Sequence, residues 1–226
     1  ALAALAAGGL LKVAQTQAEG GVEWIFWVSE TSPPLGKPVT FKVWAYDSKR
    51  LATFPVSCNM TITAPDGVVF MGRFAGNPAE HSVAFWREGS YNVALFCAAN
   101  VYGNVTENRF TATITYRYPQ IEVSPANPKW GRPFTLTFRA EYPYNEQARV
   151  EVGGRTYHVW MSDGVIQVPN LFIYDTTVVR LHFLGRVTEY ELVPEQPRLV
   201  PWVSQERVKV YGYVRLKAWF EDDEGA

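Results

Sequence analysis

The amino-acid sequence predicts an all-β chain of two tandem domains, and an internal repeat carries this prediction. The phrase Gly-Lys-Pro-Val-Thr-Phe-Lys-Val-Trp-Ala at 36–45 returns at 131–140 as Gly-Arg-Pro-Phe-Thr-Leu-Thr-Phe-Arg-Ala. In both copies a turn precedes an alternation of apolar and polar side chains, which is typical of a half-buried β-strand. The copies lie about one hundred residues apart, which is the size of one β-sandwich domain.

The composition favours the same class. Of 226 residues, eight are Trp and twelve are Tyr, and Val and Thr are abundant. These residue types suit pleated sheets better than helices, and the chain length suits two small domains. The net charge of −1 provides no basic surface for a phosphate backbone. We therefore expect no nucleic-acid partner.

The first domain is predicted over residues 22–117. Its strands are expected at 22–28, 38–46, 55–63, 68–74, 81–86, 90–98 and 110–116. Pro33-Pro34 ends the first strand, because proline cannot donate into a β-ladder. Pro65-Asp66-Gly67 is a turn, in which proline fixes φ and glycine accepts a positive φ.

The second domain is predicted over residues 118–226. Its strands are expected at 120–124, 133–140, 148–152, 155–161, 177–184 and 187–193, with Gly153-Gly154 and Gly185-Arg186 as hairpin turns. Residues 208–220 then show the cleanest alternation in the chain, which predicts an extra amphipathic strand. This strand either completes the second domain or adds to a neighbouring subunit, because an exposed apolar edge invites pairing.

The run from Gly89 to Leu95, Gly-Ser-Tyr-Asn-Val-Ala-Leu, resembles the tyrosine corner of immunoglobulin-like and polycystic-kidney-disease-type domains. The resemblance implies that the hydroxyl of Tyr91 ties its strand to the preceding corner. Together with the repeat, it implies a fold of two tandem immunoglobulin-like β-sandwiches with a short apolar N-terminal tail.

The two cysteines, Cys58 and Cys97, both lie on the apolar parity of their strands in the first domain. Both are expected to face the core, as a disulfide or as two buried thiols. A bridge between them would contribute about 3–4 kcal/mol in the chain-entropy model and would indicate an oxidising compartment. Asn59-Met-Thr61 and Asn104-Val-Thr106 are N-glycosylation acceptors, so we expect Asn59 and Asn104 at the surface.

Residues 1–21 form an apolar N-terminal tail that differs from the rest of the chain. The stretch at 1–13 is rich in Ala and Leu and is too short to span a bilayer unaided. It resembles the h-region of a secretory signal. It also resembles type IV pilins in layout, where an apolar segment is kept after processing and used for assembly. That layout implies a subunit interface formed by Leu2, Leu5, Leu10, Leu11 and Val13, or a membrane contact through the same tail.

No motif of known chemistry stands out. The three histidines, His81, His158 and His182, are isolated within predicted strands, although His158 and His182 could converge within one domain. Asp47 and Glu80 are a possible carboxylate pair, but the sequence provides no reason to bring them together. Neither zinc spacing nor a phosphate loop is present. We expect no catalytic residue, no metal and no cofactor, and hence no enzyme.

These patterns predict a non-enzymatic, extracellular structural protein of the cell surface. It would be a homo-oligomer, the self-assembling subunit of a filament or layer of the archaeal type, with the tail docked into a neighbouring subunit. One alternative is a membrane-tethered module that binds a glycan or a protein through exposed tryptophans such as Trp44 and Trp130. Another is an accessory subunit of a membrane complex.

Overall fold

A computed structural model describes residues 14–19, 22–203 and 216–221, with side chains from residue 22 to 197 and at 217 and 218. The chain folds into two compact units, with the boundary after Pro119. In the first unit the strands are β1 (Ala14–Glu19), β2 (Val22–Val28), β3 (Val39–Asp47), β4 (Ala52–Phe54), β5 (Val56–Ala64), β6 (Gly67–Gly76), β7 (Ala79–Val83), β8 (Gly89–Val101) and β9 (Asn104–Tyr116). In the second unit they are β10 (Ile121–Ser124), β11 (Phe134–Ala140), β12 (Glu146–Val152), β13 (Arg155–Met161), β14 (Val165–Leu171), β15 (Thr177–Phe183), β16 (Arg186–Leu192), β17 (Arg198–Val203) and β18 (Leu216–Glu221).

The all-β prediction is confirmed, since every regular element in these described ranges is a strand in an antiparallel sheet. The alternation read from the repeated phrase also holds. Val39, Phe41 and Val43 of β3 are completely buried, whereas the residues between them are half-buried. None of the described residues forms a helix long and apolar enough to cross a membrane.

The first unit consists of two sheets packed on each other through aromatic side chains. One sheet has the order β1-β2-β3-β4, with β7 also pairing β3, and the other has the order β6-β5-β8-β9. Phe26 of β2 lies with its ring centroid 5.2 Å from that of Phe110 of β9, and Trp24 lies 6.4 Å from Phe110. All three side chains are buried, so the inner faces of the two sheets share one core.

The second unit contains sheets with the orders β10-β11-β14 and β13-β12-β15-β16, and β17 pairs β18 in a separate two-stranded sheet. Phe138 of β11 contacts Tyr190 of β16 with their ring centroids 5.7 Å apart, which joins the inner faces of the two larger sheets. Its strand orders match those of the first unit, with β10-β11-β14 corresponding to β2-β3-β7. The four-stranded sheets β6-β5-β8-β9 and β13-β12-β15-β16 correspond in the same way.

The turn before the repeated strand makes the same hydrogen bonds in both units. The amide of Leu35 donates to the carbonyl of Arg117 at 2.9 Å, and that of Trp130 donates to Glu195 at 3.1 Å. One residue later, the amides of Gly36 and Gly131 donate to Phe85 and Ile173 at 2.8 and 3.0 Å. The sequence repeat therefore corresponds to a structural repeat.

The tyrosine corner that the resemblance implied is present. The hydroxyl of Tyr91 donates to the carbonyl of Arg87 at 2.9 Å, four residues upstream. The Tyr91 ring is stacked on Phe85 with their centroids 4.2 Å apart. This contact fixes the start of β8 against the segment that precedes it.

Four strands were not expected from the sequence: β1, β4, β14 and β17. Residues 14–19, assigned to the tail, pair with β2 from Ala14 opposite Trp27 to Glu19 opposite Val22. At the other end, β18 pairs β17 rather than joining either larger sheet of its unit. The remainder of the predicted 208–220 strand, at 208–215, lies outside the described residues.

Candidate functional surfaces

The two cysteines form a disulfide within one sheet of the first unit. Cys58 of β5 and Cys97 of β8 lie directly opposite each other in the antiparallel register, and both are completely buried. Their sulfur atoms are bonded at 2.06 Å. The predicted bridge is confirmed, and the alternative of two free thiols is wrong. A buried disulfide is typical of secreted and extracellular proteins.

Both glycosylation acceptors lie at the surface of the first unit. Asn59 is exposed on β5, and Asn104 is exposed at the first position of β9, after the Tyr102-Gly103 turn. Each side chain is therefore accessible in the folded protein. Glycosylation at these positions stays a prediction.

The five residues predicted to form the subunit interface, Leu2, Leu5, Leu10, Leu11 and Val13, lie outside the described residues. The described chain begins immediately after them with β1. Because β1 pairs along its full length with β2, the segment that carries these side chains continues directly into a sheet of the first unit.

The histidines do not come together. His158 of β13 and His182 of β15 are both opposite Arg149 of β12, so they flank this arginine on either side. His182 Nε2 lies 3.1 Å from Glu151 Oε1, which also pairs with Arg149 Nη2 at 3.2 Å. His81 lies in the first unit, with its ring stacked against Phe70 and Phe74. Within the described parts of the chain, no group of three or more His, Cys, Asp or Glu side chains could hold a metal ion.

Asp47 and Glu80 have separate roles. Glu80 pairs with Lys42 at 2.9 Å, whereas Asp47 lies five positions further along β3, about 16 Å away along the strand. Burial opposes the ionisation of Asp47, but hydrogen bonds from the Arg50 and Lys49 amides and the Tyr102 hydroxyl outweigh it and lower its pKa. The ionised carboxylate thus fixes the turn after β3.

An exposed aromatic ring covers the turn glycine of the repeat in each unit. Gly36 and Gly131 adopt left-handed φ angles of 74° and 63°. A Cβ added at Gly36 would lie 2.5 Å from the Trp86 ring, and one at Gly131 would lie 3.0 Å from Tyr174. Trp86 and Tyr174 are nevertheless 57% and 54% exposed. Each ring therefore packs against a glycine on one side, while much of the ring surface remains exposed to solvent.

We expect Gly36→Ala to lower the free energy of unfolding by about 1–2 kcal/mol from the left-handed backbone alone, and further because Trp86 must move. Urea unfolding followed by tryptophan fluorescence measures the loss. Gly103→Ala is the matched control, because its φ is 90° and nothing lies within 4 Å of the added Cβ. Equal losses in the two variants would show that the Trp86 contact contributes nothing.

Tyr116 lies beneath the same turn. Its buried hydroxyl lies within hydrogen-bonding distance of the carbonyls of Lys37, at 3.2 Å, and Val83, at 3.1 Å, to either of which it can donate. Burial raises its pKa well above the ordinary value of 10.0. The proton therefore stabilises the fold fully below about pH 10, and this contribution is lost as the pH rises towards the raised pKa.

We therefore expect the first unit to lose stability between about pH 10 and pH 12, before Tyr116 ionises in the folded state. Denaturant unfolding across this range, with tyrosinate absorbance recorded on the folded protein, measures it. Tyr116→Phe should remove part of the pH dependence. An unchanged profile in Tyr116→Phe would contradict the assignment.

The tryptophans singled out for glycan contact differ in exposure. Trp44 of β3 lies opposite Ile25 and is half-buried, whereas Trp130 is 41% exposed and contacts Tyr174 edge-on with ring centroids 5.3 Å apart. The sequence did not single out Tyr174 or its neighbour Phe172, which is 52% exposed. The three consecutive apolar and aromatic residues Phe172-Ile173-Tyr174 were the sequence feature that could have indicated an exposed aromatic surface here.

No protein-family model matches the sequence, and no curated protein matches it. Among solved structures, the chain is similar to a DUF4785 family protein from Legionella pneumophila subsp. pneumophila str. Philadelphia 1, with a TM-score of 0.36 and 10% identity, covering 77% of this chain and 57% of that one. It is also similar to red sea bream transglutaminase, with a TM-score of 0.36 and 11% identity, covering 82% of this chain and 32% of that one. TM-scores this low support no inference about fold or activity.

Proposed function

We propose that this protein is a non-enzymatic structural subunit that assembles into an extracellular filament or layer at the cell surface. In this proposal the two units are tandem immunoglobulin-like β-sandwiches, 22–117 and 118–226, and residues 1–21 carry the docking segment. Matching three- and four-stranded sheets and the shared turn hydrogen bonds support the tandem arrangement. The buried disulfide supports an oxidising location.

The observation that carries the proposal is the pairing of β1 with β2. The apolar segment at 1–13 is followed by a strand of six residues in continuous antiparallel register with the first unit. Such a strand transmits force through several hydrogen bonds at once, and it fixes where the docking segment leaves the unit. Burial of Leu2, Leu5, Leu10, Leu11 and Val13 in a neighbouring subunit would contribute about 1.5–3 kcal/mol per side chain.

The test uses a variant that keeps β1. Substituting Leu2, Leu5, Leu10, Leu11 and Val13 together by Ser preserves the length of the chain and the β1–β2 pairing. We expect the full chain to form filaments or layers by light scattering and electron microscopy, and the variant to remain monomeric with an unchanged unfolding midpoint. A matched variant with Ala3, Ala4 and Ala6 changed to Ser should still assemble, because these side chains bury little area.

Assemblies of normal length from the five-residue variant would refute the proposal. The alternative of a membrane-anchoring tail is tested with the same two proteins and vesicles of neutral phospholipid. If the full chain floats with the vesicles as single copies and never assembles alone, the tail is a membrane anchor and the assembly proposal fails.

A further inference from the structure

A groove of about 270 Å³ lies in the second unit between β13 and β14, the facing edges of its two larger sheets. Arg155 and Tyr157 line one wall, and Asn170, Phe172 and Tyr174 line the other. Buried apolar side chains, among them Val152, Leu171 and Ile173, form the floor. The volume is just below the roughly 300 Å³ at which small-molecule sites begin, which suits a short stretch of a longer ligand.

The aromatic wall is held in place before any ligand arrives. Tyr174 rests on Gly131, and its ring meets Trp130 edge-on at 5.3 Å. The carbonyl of Ile173 accepts a hydrogen bond from the Gly131 amide, which fixes the backbone between Phe172 and Tyr174. Because these rings are already held in place, binding a ligand on them costs little side-chain conformational entropy. Flat apolar ring faces match the C–H faces of sugar rings.

The opposite wall carries a positive charge that forms no ion pair with a described residue. Arg155 is exposed and makes no ion pair or side-chain hydrogen bond with any described residue, and no residue lining the groove carries a carboxylate. By contrast, Arg149 pairs with Glu151 at 3.2 Å and Arg180 pairs with Glu189 at 2.8 Å. A guanidinium in this state is suited to bind a carboxylate with two parallel hydrogen bonds.

The first unit has a smaller depression of about 160 Å³ that is also lined by an arginine and aromatic side chains, but its arginine is paired. Arg87 lines it but pairs with Asp66, Nη1 to Oδ2, at 2.6 Å. Glu88 adds a second carboxylate to its lining. An anionic ligand would therefore bind the second unit in preference to the first.

The shape of β14 disfavours an extended peptide in this groove. Pro169 has no amide proton, and Asn170 has a left-handed φ of 57°. The register with β11 shifts here, so these two residues oppose Thr135 alone in a β-bulge. Strand addition requires a regular row of donors and acceptors along the edge, which this wall does not offer. The exposed side-chain amide of Asn170 can instead form hydrogen bonds with sugar hydroxyls.

We propose that the groove between β13 and β14 binds an acidic polysaccharide, with a uronic acid carboxylate on Arg155 and sugar rings on Phe172 and Tyr174. This site does not depend on the assembly function. It would attach the protein to a polyanionic matrix outside the cell.

The test measures binding of the full chain to polygalacturonate by affinity gel electrophoresis and calorimetry, with dextran and poly-glutamate as comparison polymers. We expect binding to polygalacturonate that weakens with salt, and little binding to dextran or poly-glutamate. Arg155→Gln should weaken it about tenfold or more, since a charge-assisted hydrogen bond contributes about 1.5–3 kcal/mol. Tyr174→Ala should also weaken it severalfold, because it removes a ring on which the sugar packs.

Two exposed residues outside the groove provide matched controls. Arg139→Gln removes an exposed cation from β11, and Trp160→Ala removes a ring that is 57% exposed on β13. Both should leave the affinity unchanged, and all four variants should still unfold cooperatively. The proposal is overturned if polygalacturonate does not bind or if Arg155→Gln and Tyr174→Ala bind normally. Equal binding of poly-glutamate would overturn it too, by assigning the groove to acidic peptides.

Discussion

Reduction of the Cys58–Cys97 disulfide is expected to lower the free energy of unfolding of the first unit by about 4 kcal/mol. The bridge joins residues 39 positions apart, and in the chain-entropy model a loop of this length restricts the unfolded chain by roughly that amount. Because single domains have only about 5–15 kcal/mol of stability in total, this would be a large fraction. Denaturant unfolding with and without a thiol reductant measures the effect.

The double variant Cys58→Ala/Cys97→Ala separates the covalent bond from the buried sulfur atoms. It should be destabilised by a similar amount, and adding reductant should cause no further loss. Under denaturing conditions without reductant, the wild-type chain should show no free thiol. An unfolding midpoint that reductant leaves unchanged in the wild type would contradict a stabilising bridge.

The second large effect is expected from Phe26→Ala, which should cost about 3–5 kcal/mol. Phe26 is completely buried, with its ring stacked on Phe41 at 6.3 Å and tilted against Phe110 at 5.2 Å. Truncation removes the side chain that joins the inner faces of the two sheets and leaves a cavity among rigid rings, which cannot close over it. Thermal and denaturant unfolding of the first unit report the loss.

Phe26→Leu and Phe172→Ala serve as controls for Phe26→Ala. Phe26→Leu keeps much of the apolar volume and should cost clearly less. Phe172→Ala removes a ring that is 52% exposed in the second unit and should change the stability by no more than about 0.5 kcal/mol. A loss in Phe26→Ala as small as that in Phe172→Ala would mean that the described core of the first unit does not depend on this ring.

The two expectations concern the stability of the first unit, on which the proposed assembly depends. The disulfide holds the adjacent strands β5 and β8 together. The contact between Phe26 and Phe110 holds the two sheets of the first unit together. The proposed docking segment connects to this unit through β1. A stable first unit is therefore a precondition for the proposed assembly. Ligand binding in the groove of the second unit should persist when the first unit is destabilised.

The sequence identified some residues of the disulfide and of the groove in the second unit, but it did not predict which residues lie next to each other. The parity of Cys58 and Cys97 placed both on buried faces, yet only the register of β5 and β8 places them opposite each other. Trp130 was singled out because it is aromatic. Its partner Tyr174 was not, and neither was Arg155, since the proximity of Tyr174 and Arg155 depends on how β13 and β14 lie beside each other.

The all-β class, the buried faces of strands such as β3 and the structural repeat follow from the amino-acid order alone, because side-chain alternation and turn chemistry are local properties. The existence of β14 does not, since Pro169 and Asn170 interrupt any local pattern and the strand is held by pairing with β11 across a bulge. The folded chain likewise places Arg149 between His158 and His182 rather than joining the two histidines. Such pairings are set by contacts between residues distant in sequence, and a period of two leaves the choice of partner and register open.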